Sequence, residues 1–252
     1  MNEILKVAMF AGQMILENGG ETYRVEETIW RICKIYGADE AESFATPTGI
    51  MASICHQGKT YSLTRRVSNR TVNLDKIDKV NDLSRSIQSK KLSVSDFKRE
   101  LDKINNLNTY SFLIVILFSG LAAGSFSILF GGNFKDAFSA FLIGLVIKGL
   151  ALKWSDVGIN TFFINSICGG ITALLAIIFF KLGISSQINQ TIIGSIMLLV
   201  PGLAITNAIR DTMSGDLLSG IIRASEAFLV AISIAVGTGA VLSFWISNLG
   251  GV

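Results

Sequence analysis

The stretch Phe112–Phe130 reads FLIVILFSGLAAGSFSILF, nineteen residues without one formal charge. At about 1.5 Å of rise per residue, a helix of that length comes close to the ~30 Å hydrocarbon thickness of a bilayer. It therefore reads as a membrane span. Four more apolar runs follow, at about 136 to 152, 160 to 180, 190 to 209 and 221 to 247. The run at 136 to 152 is the weakest, being short and carrying Lys148, whose stem lets its ammonium snorkel towards the end of the run. Five spans are expected.

Outward from Phe112, the chain changes character. Residues 1 to 110 hold 16 of the 22 Lys and Arg and 14 of the 19 Asp and Glu, so the remaining 142 residues carry only 6 basic and 5 acidic side chains. Over all 252 residues only 16% are charged, against about 25% in ordinary soluble domains, and the mean hydropathy is +0.52. A wholly soluble protein is excluded. The expected architecture is an α-helical polytopic membrane protein with an N-terminal α+β cytoplasmic domain: residues 1 to 110 form that domain and 111 to 252 the transmembrane domain. The net charge of +3 comes from basic residues interspersed with almost as many acids, so there is no basic stripe for nucleic acid. Cys33, Cys55 and Cys168 are odd in number and far apart, which reads as free thiols rather than a disulfide framework or a metal site. The opening MNEILKVAMF contains Glu3 and Lys6 and runs into a polar stretch, so no secretory signal is expected.

In the polar region, Ile4, Ala8, Ala11 and Ile15 recur at helical spacing and Gly19 stands where a C-terminal cap belongs. Val25, Ile29, Ile32 and Tyr36 predict a second helix closed by Gly37. Gly49 to Cys55, a turn at 56 to 59, and alternating Tyr61, Leu63 and Val67 predict a β-hairpin. Leu74, Ile77, Val80, Leu83 and Ile87 return to helical spacing, and a further helix starts at Ser93–Asp96 and runs to about Leu107. Lys90, Lys91, Lys98, Arg99 and Lys103 precede the first span, whereas the loop after it offers only Lys135. By the positive-inside rule the N-terminus is cytoplasmic, and an odd number of spans puts the C-terminus outside.

Candidate chemistry lies where irregular backbone and charge intrude on the apolar part. Pro201 and Gly202 fall inside the fourth run, where proline removes a backbone donor; the alternative to a functional break is a simple packing kink. Broken helix ends can hold an anion or an ion. Cys168, Gly169 and Gly170 are a second weak point or a close-packing face, and Gly120 and Gly124 form one GxxxG. The segment 206 to 226 contains Asn207, Arg210, Asp211, Asp216, Arg223 and Glu226, most of the charge of the membrane portion. A solvated loop explains Asp216 equally well. Glu226 is the strongest single candidate, because it sits inside a predicted span, is too short to snorkel far, and can pair with Arg223 three residues before it. Near the start, Gly19, Gly20, Glu21, Thr22, Arg24 and Glu26 crowd a helix–helix junction, where ordinary capping is the competing explanation. The sole histidine, His56, reads as a surface residue.

Two of these stretches carry a resemblance. GlyGlyGluThrTyrArgValGluGluThr at 19 to 28, together with ProGly, AsnAlaIleArgAsp, GlyAsp, SerGly, Arg and GluAla between 201 and 227, resembles the N-terminal portion of the threonine/serine exporter family over nearly the whole chain. The resemblance implies a cytoplasmic domain followed by about five spans. Long members of that family continue into a second membrane portion; in split relatives that portion is a separate small membrane protein, and some such pairs are associated with export of dicarboxylates such as succinate. The implied partner is therefore a second small membrane subunit, in a hetero- or homo-oligomer.

The function expected from residues and resemblance together is a subunit of a secondary transporter, exporting threonine- or serine-like amino acids or dicarboxylates across the cytoplasmic membrane with an ion or proton. In it Arg210 or Arg223 faces the substrate carboxylate, Asn207 and the broken backbone orient it, and Glu226 or Asp211 carries the coupling proton. No cofactor is expected. An intramembrane protease is disfavoured, since one histidine cannot make HExxH and SerGlyAsp at 214 to 216 lacks the leading glycine of GxGD. A membrane-anchored sensor acting through its cytoplasmic domain is the alternative; it leaves the charge inside the last two runs unexplained.

Overall fold

The computed structural model describes residues 1–107 and 110–249. The expected domain boundary near 110 adjoins residues outside this range, and the last three residues, on which the C-terminal orientation bears, also lie outside it. The chain forms two compact units, one of Met1–Asn108 with Gly202–Ser225, the other of Thr109–Pro201 with Glu226–Val252.

The first unit opens on α1 (Asn2–Glu17), in which Leu5, Ala8, Met9, Ala11, Ile15 and Leu16 are completely buried. These residues surround the helix rather than lining one stripe, as a central core helix requires. α2 (Thr22–Ile35) is amphipathic, burying Val25, Ile29 and Ile32. It approaches α1 so closely that a Cβ on Gly12 would stand 2.7 Å from Ile29 Cδ1. The hairpin is part of a three-stranded antiparallel sheet, β1 (Glu40–Thr46), β2 (Gly49–His56) and β3 (Lys59–Arg66), in that order. β2 alternates Ile50, Ala52 and Ile54 inward, and Ala45 lies opposite Ile50. β1 was not expected: EAESFAT buries only two alanines, so it lacks the β-branched signal of a strand and is held by pairing with β2. α3 (Leu74–Lys90) and α4 (Val94–Asn105) are capped by Asn73 and Ser93, whose side chains accept from the backbone of Lys76 and Asp96. Phe97 and Leu101 of α4 are fully buried in the same core.

The second unit contains α5 (Phe112–Leu129), α6 (Phe134–Asp156), α7 (Thr161–Lys181) and the short α8 (Ile188–Ile196). The chain then gives α9 (Gly202–Met213) to the first unit and divides α10 (Leu217–Leu249) between the two at Ser225 and Glu226. Among the described residues four helices are long and apolar enough to cross a membrane: α5, α6, α7 and α10. The expected fourth span, 190 to 209, is not one helix. α8 stops at Ile196, the N–H groups of Leu198, Leu199 and Val200 fold back onto the Ser195 and Ile196 carbonyls, and Pro201 brings no N–H to continue the ladder. α7 runs unbroken through Cys168, Gly169 and Gly170, so that stretch serves packing. A Cβ on Gly169 would stand 2.8 Å from Ile234 O of α10, and one on Gly124 2.9 Å from Ala137 O, which places the GxxxG of α5 against α6.

Leu113, Phe118, Leu129, Phe163, Phe228 and Phe244 are all exposed on these helices. Water would not tolerate such a surface on a soluble protein, whereas hydrocarbon demands it. The fold is thus an N-terminal α+β domain followed by the long apolar helices of a polytopic membrane protein. Sequence reading passed over Asp136, which is fully buried at the start of α6. It completes a capping box with Asn133 and accepts from Ser185 Oγ at 3.0 Å and from the N–H groups of Ser186 and Gln187 at 2.7 and 2.8 Å. A buried carboxylate needs such saturation, and here it ties the segment before α8 to α6.

Candidate functional site

The two stretches singled out from sequence meet inside the first unit. α1 ends at Glu17, and Gly19 takes a positive φ of +93° that a side chain would strain, so the chain turns sharply into Gly20, Glu21 and the first turn of α2. A helix start leaves N–H groups without partners and a partial positive charge, which suits a carboxylate. Asp211 supplies it: its Oδ1 accepts from the Thr22 N–H at 3.1 Å. Thr22 Oγ1 donates to Asp216 at 3.2 Å.

Asn207, Arg210 and Asp211 are spaced i, i+3, i+4 on α9 and so share a face. All three engage the junction. Asn207 Nδ2 donates to Gly19 O at 2.8 Å, Arg210 Nη1 to Glu21 Oε1 at 2.5 Å, and Glu21 Oε2 accepts from Arg24 Nε at 2.8 Å. From α10, Arg223 Nη2 donates to Gly20 O at 2.7 Å while its Nε lies 2.9 Å from Asp211 Oδ2. Arg223 and Asp211 are both buried, whereas the Arg210 side chain is 54% exposed. The distinction sets their weight: breaking a buried pair typically costs about 3–5 kcal/mol, while an exposed pair contributes roughly 0–1 kcal/mol.

Glu26 faces the same cluster from one turn further along α2. Its carboxylate accepts from the Ala45 N–H at 2.7 Å, linking α2 to β1, and Ser219 of α10 donates to Ala45 O at 3.4 Å. Burial pushes the Glu26 pKa up; the Ala45 N–H opposes this, the charges of Asp216 and Asp211 add to it, and the net shift is upward. For Glu21, burial also pushes up, but hydrogen bonds from Arg24, its own backbone and Arg210 outweigh it and hold the carboxyl below its usual range.

Of the remaining sequence candidates, Gly202 opens α9, Pro201 belongs to the second unit, and Glu226 is half-buried there. His56 lies partly exposed at the end of β2, 3.7 Å from Asp39. The Ala45 N–H and the Ser219 hydroxyl were not foreseen, because backbone donors and lone serines carry no sequence signal. Lys148, with Asn165, Thr161 and Pro201, lines a pocket of about 270 Å³ inside the second unit.

Fold and network together define a polytopic helical membrane protein whose N-terminal domain is bound by ion pairs to a late segment of the chain. The family model described as "Putative threonine/serine exporter" matches residues 6–245, and the chain belongs to this family. A "Probable succinate transporter subunit YjjP" of Klebsiella aerogenes is 25% identical over 239 residues, covering 92% of this chain and 90% of that protein. The protein of the same description from Escherichia coli K12 is 25% identical over 249 residues, covering 96% and 94%. A "Threonine/serine exporter" of Corynebacterium glutamicum is 26% identical over 178 residues, which is 69% of this chain but 36% of that longer protein. No solved structure matches.

Proposed function

We propose that this protein is a subunit of a secondary transporter that exports small carboxylate-bearing metabolites, and not an enzyme. Family membership supports transport of small carboxylates or amino acids across a membrane, and relatives of matching length described as transporter subunits support assembly with a partner. The partner we expect is a second small membrane subunit.

The observation that carries the reading is the convergence of Glu21, Thr22 and Arg24 with Asn207, Arg210, Asp211 and Arg223. A network whose ion pairs join an N-terminal domain to helices beside a broken membrane segment suits a gate that must open and reclose. Arg210, half-exposed, is the guanidinium open to a passing carboxylate, and Glu226 is the coupling carboxylate. The N-terminal domain is cytoplasmic. α5, α6 and α7 carry the chain outward, the broken α8 segment returns it to α9, and α10 crosses once more, leaving the C-terminus outside.

The test is whether cells lacking the protein accumulate succinate, threonine or serine, and whether the intact gene restores efflux. Glu226→Gln keeps the side chain's size and removes its charge, so efflux should fall at least about tenfold with membrane insertion unchanged. Unaltered metabolite pools in the deletion strain would instead favour a sensor.

A further inference from the structure

The second unit holds a cation of its own. Lys148 lies eight residues before the end of α6, about 12 Å along the axis. Its side chain lines the pocket of about 270 Å³ between α6, α7, the Met197–Pro201 break and α10. Among the described residues Lys148 has neither ion pair nor hydrogen bond. Asn165, only 7% exposed, lines the same pocket, and its side-chain amide likewise has no hydrogen-bond partner among the described residues. Lys148 is half-buried and both polar groups open onto the pocket instead of being sealed in protein, so what fills the pocket has to satisfy them.

We infer that this pocket is the binding site for a small dicarboxylate, with Lys148 pairing one carboxylate and Asn165 hydrogen-bonding the ligand; the inference rests on the reading of the protein as a carboxylate exporter. The size allows it: a four-carbon diacid displaces about four waters at roughly 30 Å³ each, and the pocket of about 270 Å³ takes that volume with room for water beside it. Its chemistry discriminates as well. The lining contains one cation and no acid, so a zwitterionic amino acid finds no counter-charge for its ammonium, whereas a diacid brings negative charge alone. Ile147 and Leu198 give apolar walls for the methylene groups.

The experiment measures binding of labelled succinate and labelled threonine to the purified full-length chain in lipid nanodiscs, and efflux of both from cells carrying the same variants. Lys148→Gln should weaken succinate binding by about thirtyfold or more, since truncating one partner of a buried charge pair has effects of that size or larger. Lys148→Arg should recover part of it, and Lys153→Gln, outside this pocket, should stay within about twofold of wild type. Asn165→Ala and the pocket-filling Ala151→Leu should each weaken binding without altering charge, and they carry the test if Lys148→Gln is not recovered from membranes. Wild-type binding in those variants, or in Lys148→Gln, overturns the site while leaving the exporter reading intact. Threonine binding as tight as succinate, with the same dependence on Lys148, overturns the dicarboxylate assignment. If wild type neither binds nor moves any carboxylate, the exporter reading falls and the site with it.

Discussion

The α1–α2 junction of the first unit and the pocket of the second treat a cation in opposite ways. Around the α1–α2 junction, Arg24 and Arg210 meet Glu21 and Arg223 meets Asp211. In the apolar helices Lys148 meets no acid among the described residues, although it is the costlier place to leave a charge. Charges that satisfy one another stabilise or switch a structure; a charge left without a partner in apolar surroundings waits for something the protein alone does not contain. We propose the ion-pair network as the conformational element and the pocket around Lys148 as the place to look for a ligand.

The comparison breaks most visibly at Asp211. Asp211→Asn removes the counter-charge of buried Arg223 and weakens the cap on α2, so the first unit should lose about 3–5 kcal/mol, read as a lower thermal midpoint of the purified chain. Arg223→Met combined with Asp211→Leu deletes both charges and should recover much of that loss. If the double variant is as stable as wild type yet does not export, the pair serves movement rather than folding. If it also exports normally, the pair is structural only and the network is not the gate.

Much of this was legible beforehand. The helices announced themselves by apolar spacing at Ile4, Ala8, Ala11 and Ile15 and by the uncharged run from Phe112, because burial and hydrocarbon leave strong periodic or continuous marks. Both halves of the ion-pair network were also singled out, since polar residues crowding a junction or an apolar run stand out locally. Their contact could not be read, because Thr22 and Asp211 are 189 residues apart and nothing local encodes a long-range cap. The break at Pro201 was legible and the structure bears it out, α8 ending at Ile196 and α9 opening at Gly202; what was not legible is that the two pieces do not count as a span among the described residues. The pocket at Lys148 was not legible, because distance to a helix end is readable from sequence and a cavity between helices is not.

A second, smaller effect concerns two carboxylates on the same helix start that should titrate in opposite senses. Glu21, held low by its arginines, contributes stability that is present above the ordinary glutamate pKa of 4.5 and is lost as pH falls through its lowered value. Glu26, pushed up by burial and by Asp216 and Asp211, is more readily protonated folded than unfolded, so stability falls as pH rises from 4.5 through its raised value. Glu26→Gln keeps an acceptor for the Ala45 N–H and cannot ionise. Its thermal midpoint should match wild type in acid and exceed it at neutral pH, where only wild type holds the charge. A midpoint gap independent of pH would show that Glu26 does not titrate against its neighbours.

The smallest effect on stability, and the sharpest on the contrast between the two units, belongs to Arg210. It is joined to Glu21 at 2.5 Å, yet its side chain is 54% exposed, so solvent screens the pair and Arg210→Gln should cost no more than about 1 kcal/mol. Glu21 keeps Arg24, so no buried carboxylate is stranded. Efflux is a different matter. If Arg210 draws carboxylates towards the cytoplasmic side, the variant should export more slowly at low substrate and approach the wild-type maximum at saturation, because only encounter and binding are weakened. That loss should shrink in high salt, which screens an exposed guanidinium over about 10 Å at 0.1 M, while the loss caused by Lys148→Gln, inside an apolar pocket, should persist. Equal salt sensitivity of the two variants would erase the distinction between a steering charge in the first unit and a binding charge in the second.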